Sequence, residues 1–365
     1  MVNVRETKQA LQNALVNQDP NRLARIFELP IANSSSSSSS SQPRKHNPQS
    51  FTVDGKDCGG LLTSLLDAHA ASEVGNIEAV FEAQIKLHPK FNQLFGSSEG
   101  NWMVPAMIVV CKTTHKLGLE ADRQILLKSK TKQNHHTKLQ KVVPILQESY
   151  SKTFNDRTEY QPGAPFDNAG SKQAGVLAIV NELFGMYFRL NILRLCKNLI
   201  RPVETKKLSE KGSMSEMVTY RYYIGRLSMF EDDHPRAETN LEYALRHCHK
   251  SATSNKKRIL KYLVPVKLYR GKLPTTYREY LSRIVLQRIV SFRSVSHRIV
   301  SFRIVSFAGS EECLRMACGC YYDGTVPCAH TVQYCAVFSA FCNAYNRTNI
   351  FQYWTNTDWK NSNRS

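Results

Sequence analysis

Nine Lys and Arg residues lie between Arg246 and Lys272, and no Asp or Glu interrupts them. A dense cationic surface attracts a polyanion because each neutralised phosphate releases condensed counterions, without any reading of bases. Arg246 and Lys250 precede the denser part of the run, in which Lys256, Lys257, Arg258, Lys261, Lys267, Arg270 and Lys272 are the candidate nucleic-acid contacts. Tyr262 and Tyr269 fall among these charges, where exposed rings would stack on unpaired bases. A solvated helix face, or a docking site for an acidic protein, would show the same composition.

Other reactive residue types form weaker patterns. Six of the ten cysteines, Cys313, Cys318, Cys320, Cys328, Cys335 and Cys342, follow Gly309 together with His330, but their separations do not form the two close pairs of a zinc module. His135 and His136 are adjacent, so their side chains diverge, and His247 and His249 sit two apart on different faces of a helix. No metal and no cofactor is expected. The chain carries no Gly-rich phosphate loop, no Gly-x-Ser-x-Gly elbow and no His-carboxylate helix motif, so it does not read as an enzyme.

The cationic run follows a helical hairpin. Tyr222, Gly225, Leu227 and Phe230 precede the turn Glu231-Asp232-Asp233-His234-Pro235, and Ala237, Leu241, Ala244 and Leu245 follow it. Small and large apolar residues at this spacing match antiparallel helices of a tetratricopeptide-like repeat. Tyr222, Tyr223, Phe230 and Leu241 are the candidate partner-binding side chains.

Helical periodicity extends well beyond this hairpin. Residues 4–29 are expected to form a short amphipathic helix, and residues 31–59, with their Ser run from Ser34 to Ser41, a flexible loop. Helical repeats are expected over 60–160, with His88-Pro89 closing one helix, Gly118 capping another and 128–141 forming an exposed connection. A helix apolar almost all round is expected from Ala174 to Ile200, stopped by Arg201-Pro202. The fold class is therefore all-α, with residues 171–274 as its second helical part.

Past Pro274 the pentapeptide beginning Arg283-Ile284-Val285 repeats five times. A period of five matches neither strand nor helix, so no packed structure is expected of it. Residues 275–365 read as a tail of altered reading frame or retained noncoding origin.

The length of 365 residues allows a sizeable core, and a formal charge of +19 favours an anionic partner. No stretch approaches the roughly 18 to 20 apolar residues of a membrane span, and no secretory signal opens the chain. Scattered Cys58, Cys111, Cys196 and Cys248 suit buried thiols in a reducing compartment.

Several blocks together resemble one family. They are Leu23 to Pro30, Trp102-Met103-Val104-Pro105, Lys172 to Phe184, Tyr187 to Asn191, Tyr220 to Arg226 and, most specific, Asn255 to Leu268. With these blocks the chain resembles the PCI-domain-containing protein 2 family, the PCI subunits of the transcription and export complex 2 at nuclear pores. The resemblance implies a helical repeat leading into a winged helix; here the pentapeptide array stands where the winged helix would begin. It also implies a nuclear, nuclear-pore location with some cytoplasmic presence. The implied partners are a long helical scaffold subunit, the small acidic deletion-of-split-hand protein, and mRNA or DNA. The expected function is thus a non-catalytic scaffold of an mRNA export complex with a basic surface. The alternatives are a proteasome-lid or signalosome-like scaffold working through protein contacts alone, and a metal-binding activity in the Cys-rich terminus.

Overall fold

The computed structural model describes residues 4–29, 46–47, 50–53, 55–128 and 136–270. Twelve α-helices dominate them: α1 (Val4–Val16), α2 (Pro20–Ile26), α3 (Gly59–Val74), α4 (Ile77–Ser97), α5 (Val104–Lys128), α6 (Thr137–Phe154), α7 (Val176–Leu190), α8 (Arg194–Thr205), α9 (Leu208–Lys211), α10 (Met214–Phe230), α11 (His234–His247) and α12 (Thr253–Tyr269). A 3-10 turn, Lys172–Gly175, leads into α7. The chain divides into two compact units, Met1–Tyr223 and Ile224–Ser365, with the division inside α10.

In the first unit α3 packs on α4, α4 on α5, α5 on α6 and α6 on α7. Successive pairing of neighbours, reinforced by packing of α4 on α6 and α5 on α7, is the layered arrangement that the apolar stripes demand, since each helix must bury its stripe against others. Leu62, Leu65 and Leu66 of α3, and Phe81, Phe91 and Phe95 of α4, are fully buried. The loop between α6 and α7 is fastened by Lys172, whose ammonium donates to Phe95 O at 2.8 Å and Ser98 O at 2.7 Å. Those carbonyls belong to the end of α4, where unpaired acceptors and the helix dipole favour a cation.

The element boundaries depart from the sequence pattern in several places. Residues 4–29 form two helices, because Gln18 adopts a left-handed φ of 50° and Asp19 caps α2 through the amides of Asn21 and Arg22. Residues 50–58, inside the expected loop, include a two-stranded hairpin, β1 (Thr52–Val53) with β2 (Lys56–Asp57), and buried Phe51 anchors it. Pro89 does not close its helix: α4 runs through it, and burial of Leu87, His88 and Phe91 on either side outweighs the lost backbone bond. Gly118 lies within α5 rather than at its end, and a Cβ there would stand 3.1 Å from Val142 Cγ2 of α6. The connection 128–141 is shorter than expected, since α6 starts at Thr137 and Lys138 pairs with Glu82 at 2.8 Å and Glu78 at 3.3 Å. The long apolar run 174–200 breaks at Asn191, which takes a left-handed φ of 57° as the cap of α7, and α8 then continues past Pro202. Cys58, Cys111, Cys196 and Cys248 are all buried.

Candidate nucleic-acid interface

The second unit begins within α10 and turns at Asp232, whose φ is 58°. Asp233 then caps α11, its carboxylate accepting from Arg236 N at 3.1 Å, and Pro235 fits the first turn, where its missing N–H costs nothing. Acidic residues at this turn therefore start a helix. Gly225 lets α10 and α11 approach closely: a Cβ there would meet Leu241 Cγ at 2.6 Å. Helix α12 packs on α11, and its Ile259, Leu260, Tyr262, Leu263 and Val266 are buried.

At 100° per residue, these buried positions leave Lys257, Arg258 and Lys261 on the opposite side of α12. Lys257 and Arg258 are exposed, and Lys261 and Lys256 are half-buried. Lys256 Nζ reaches Lys250 O at 3.4 Å, and Lys261 Nζ lies 5.8 Å from the centre of the Tyr262 ring. Arg246 and Lys250, at the end of α11 and just beyond it, are exposed as well. The first half of α12 thus presents cations with no carboxylate among them in sequence.

The second half differs. Lys267 pairs with Glu242 at 2.5 Å, and Arg270 pairs with Glu238, a residue only 4% exposed. Both cations point toward α11 and satisfy carboxylates there, so neither is an open phosphate contact. A buried carboxylate needs such a partner, because leaving it alone would cost several kcal/mol. The signal was present in the sequence: Glu238 and Glu242 are one turn apart on one helix, and Lys267 and Arg270 nearly so on the other. Lys272 lies outside the described residues.

The aromatic expectation also divides. Tyr262 is 2% exposed and carries the Arg226 guanidinium 4.7 Å from its ring centre, so it belongs to the core and cannot stack on a base. Tyr269 is 65% exposed and rests edge-on against His234. Of the partner-binding candidates, Leu241 is fully buried against Gly225 and is a core residue. Tyr223 packs within the first unit on Phe184 and Phe188 of α7, at centroid distances of 5.7 and 5.4 Å, and Tyr222 leans on Tyr223. Tyr222 and Phe230 are half-buried.

Among the described residues, no group of three or more His, Cys, Asp or Glu side chains could hold a metal ion. His135 and the Cys-rich terminus lie outside them. Also among the described residues, no helix is long and apolar enough to cross a membrane.

Antiparallel helices paired in order, with a close Gly-Leu contact at a capped acidic turn, define a helical-repeat protein of the tetratricopeptide type. Residues 169–289 match the family model for PSMD3-like N-terminal TPR repeats. The chain is 34% identical over 209 residues to PCI domain-containing protein 2 of Xenopus laevis, covering 57% of this chain and 50% of that protein. It is 36% identical over 177 residues to PCI domain-containing protein 2 of Danio rerio, covering 48% of this chain and 42% of that protein. A third relative, Protein CSN12 homolog of Mycosarcoma maydis, is 28% identical over 219 residues, covering 57% of this chain and 47% of that protein. The chain spans about half the length of these curated relatives, and its homologues are PCI domain proteins.

Proposed function

We propose that this chain is a non-catalytic scaffold subunit of a nuclear mRNA-export assembly. Its helical layers dock partner subunits, and the first half of α12 adds a surface for the phosphate backbone of RNA or DNA. The partners under this reading are a long helical scaffold subunit and the small acidic deletion-of-split-hand protein, at or near the nuclear pore. The observation that carries the nucleic-acid part is the arrangement of Lys257, Arg258 and Lys261 away from α11, continued by exposed Arg246 and Lys250. Similarity to PCI domain-containing protein 2 supports the scaffold part.

Charge reversal of Lys256, Lys257, Arg258 and Lys261 to Glu tests the surface. Binding of the full chain to a mixed-sequence RNA should weaken, and the slope of log affinity against log salt should flatten by about 3, at roughly 0.7 per single-strand phosphate contact. Unchanged affinity and slope remove the role. Co-purification of the tagged chain from nuclei should recover the two protein partners, and their absence overturns the export assignment.

A further inference from the structure

Helix α8 carries a second cationic face, in the first unit, that none of the sequence patterns above singles out. Its buried side is Cys196, Leu199, Ile200 and Val203, which recur at helical spacing. Arg194, Lys197 and Arg201 recur at i, i+3 and i+7 on the other side, and all three are exposed. Between Glu182 and Glu204 the sequence contains no carboxylate. Glu204, exposed and three residues past Arg201, stands on the same face at its C-terminal end, and exposed Lys207 follows the helix end.

We infer that this face of α8 docks the phosphate backbone of a nucleic-acid duplex. At 1.5 Å per residue the three cations span about 10 Å of helix, the length over which a duplex strand presents about three phosphates. The exposed neighbours on the stripe side are Asn198 and Thr205, polar groups that donate to phosphate but offer no ring for an unpaired base, and the exposed Asn191 and Ile192 precede the helix. A protein partner would need an apolar or aromatic anchor at the centre of the contact, and this stripe has none. The duplex is favoured over a single strand because its charge density is about twice as high and no stacking platform compensates for the difference.

This inference rests on the chain being a polyanion-binding scaffold, and it is tested apart from that reading. Fluorescence anisotropy would follow the full chain binding a duplex of about 20 base pairs, a single strand of equal length, and polyglutamate, over a salt series. Three proteins are compared: the natural chain, R194E/K197E/R201E, and K256E/K257E/R258E/K261E. For the α8 variant, duplex affinity should fall at least about tenfold, and the salt slope should drop by about 2 to 3, at roughly 0.9 per contact. A duplex affinity within about twofold of the natural chain, with the same slope, overturns the inference. So does a loss confined to polyglutamate, which would assign the face to an acidic protein, or a loss confined to the single strand. If only the α12 variant loses binding, this inference fails and the proposed function stands; if the natural chain binds no nucleic acid, both fail. Circular dichroism and melting check folding, and R194Q/K197Q/R201Q, which only neutralises the stripe, replaces the reversal variant should the latter misfold.

Discussion

His88 shows how far burial alone can set the state of one residue. It is fully buried between α4, α5 and α6, with Nδ1 2.9 Å from Thr114 Oγ1 and Nε2 2.9 Å from Ser149 Oγ. The Thr114 hydroxyl donates its single hydrogen to Val110 O at 2.7 Å, so the ring donates from Nδ1, while the Ser149 hydroxyl beside Nε2 also lies 2.9 Å from Asn92 Oδ1 and 3.0 Å from Ile145 O. Desolvation holds the imidazole down at about 3, against an ordinary 6.5, and pushes the adjacent Cys111 thiol up to about 12. A thiol so placed is a packing residue and not a nucleophile. The pH consequence has a definite sign. Above about pH 6.5 neither folded nor unfolded chain protonates this ring; below it the unfolded chain takes up a proton that the fold refuses. Stability contributed by neutral burial is therefore present above about 6.5 and is lost toward 3, at about 1.4 kcal/mol per pH unit. His88→Gln keeps a donor and an acceptor in place but does not titrate. Urea melts between about pH 6 and 4.5 should show the natural chain losing stability faster than the variant by about that slope. Equal slopes would mean that His88 is hydrated and free to charge. The polar contacts of this residue could not be read in the sequence, since its partners come from 26 and 61 positions away.

At the scale of elements, the helical character and the hairpin around Glu231 to Pro235 were legible because apolar spacing and cap chemistry are local. Proline and glycine misled for one shared reason: Pro89, Pro202 and Gly118 sit inside helices held by tertiary packing, which overrides the local preference. The break at Asn191 was equally hidden, because apolar residues stand on both sides of it. Contacts likewise divided the cationic run, with Lys267 and Arg270 held on carboxylates of α11 while Lys257 and Arg258 stand exposed, a distinction that charge counting cannot make. Gly225 is a small residue of the hairpin for a steric reason. A methyl there would stand 2.6 Å from Leu241 Cγ and 3.3 Å from Ala237 O, so one helix would have to move. Gly225→Ala removes a helix-weakening glycine, worth about 1 kcal/mol, but overpacking costs about 1 to 3 kcal/mol, so a net destabilisation of about 1 kcal/mol is expected in urea. Combined with Leu241→Ala, which alone should cost about 2 to 5 kcal/mol, the penalty of the new methyl should vanish or reverse. A stabilised single variant would show that α10 and α11 stand further apart.

Taken whole, the chain carries a formal charge of +19, and a large net charge governs association more than fold. Such a charge could act as a diffuse cloud or through defined faces, and the two make different predictions. A diffuse cloud would lose little when any three or four cations are reversed. Defined faces on α8 and α12 would instead contribute separate, countable counterion releases, because residues in separate sites with no shared partner act nearly additively. With one long mixed-sequence RNA duplex and the full chain, the α8 and α12 variants should each flatten the salt slope. The variant carrying both sets should flatten it by the sum, about 6 at roughly 0.9 per contact if all seven cations meet phosphates. Anisotropy titrations at several salt concentrations measure each slope directly. A combined variant no weaker than the α12 variant would restrict the contact to the second unit, and slopes unchanged in all three would leave only the diffuse charge as the source of attraction.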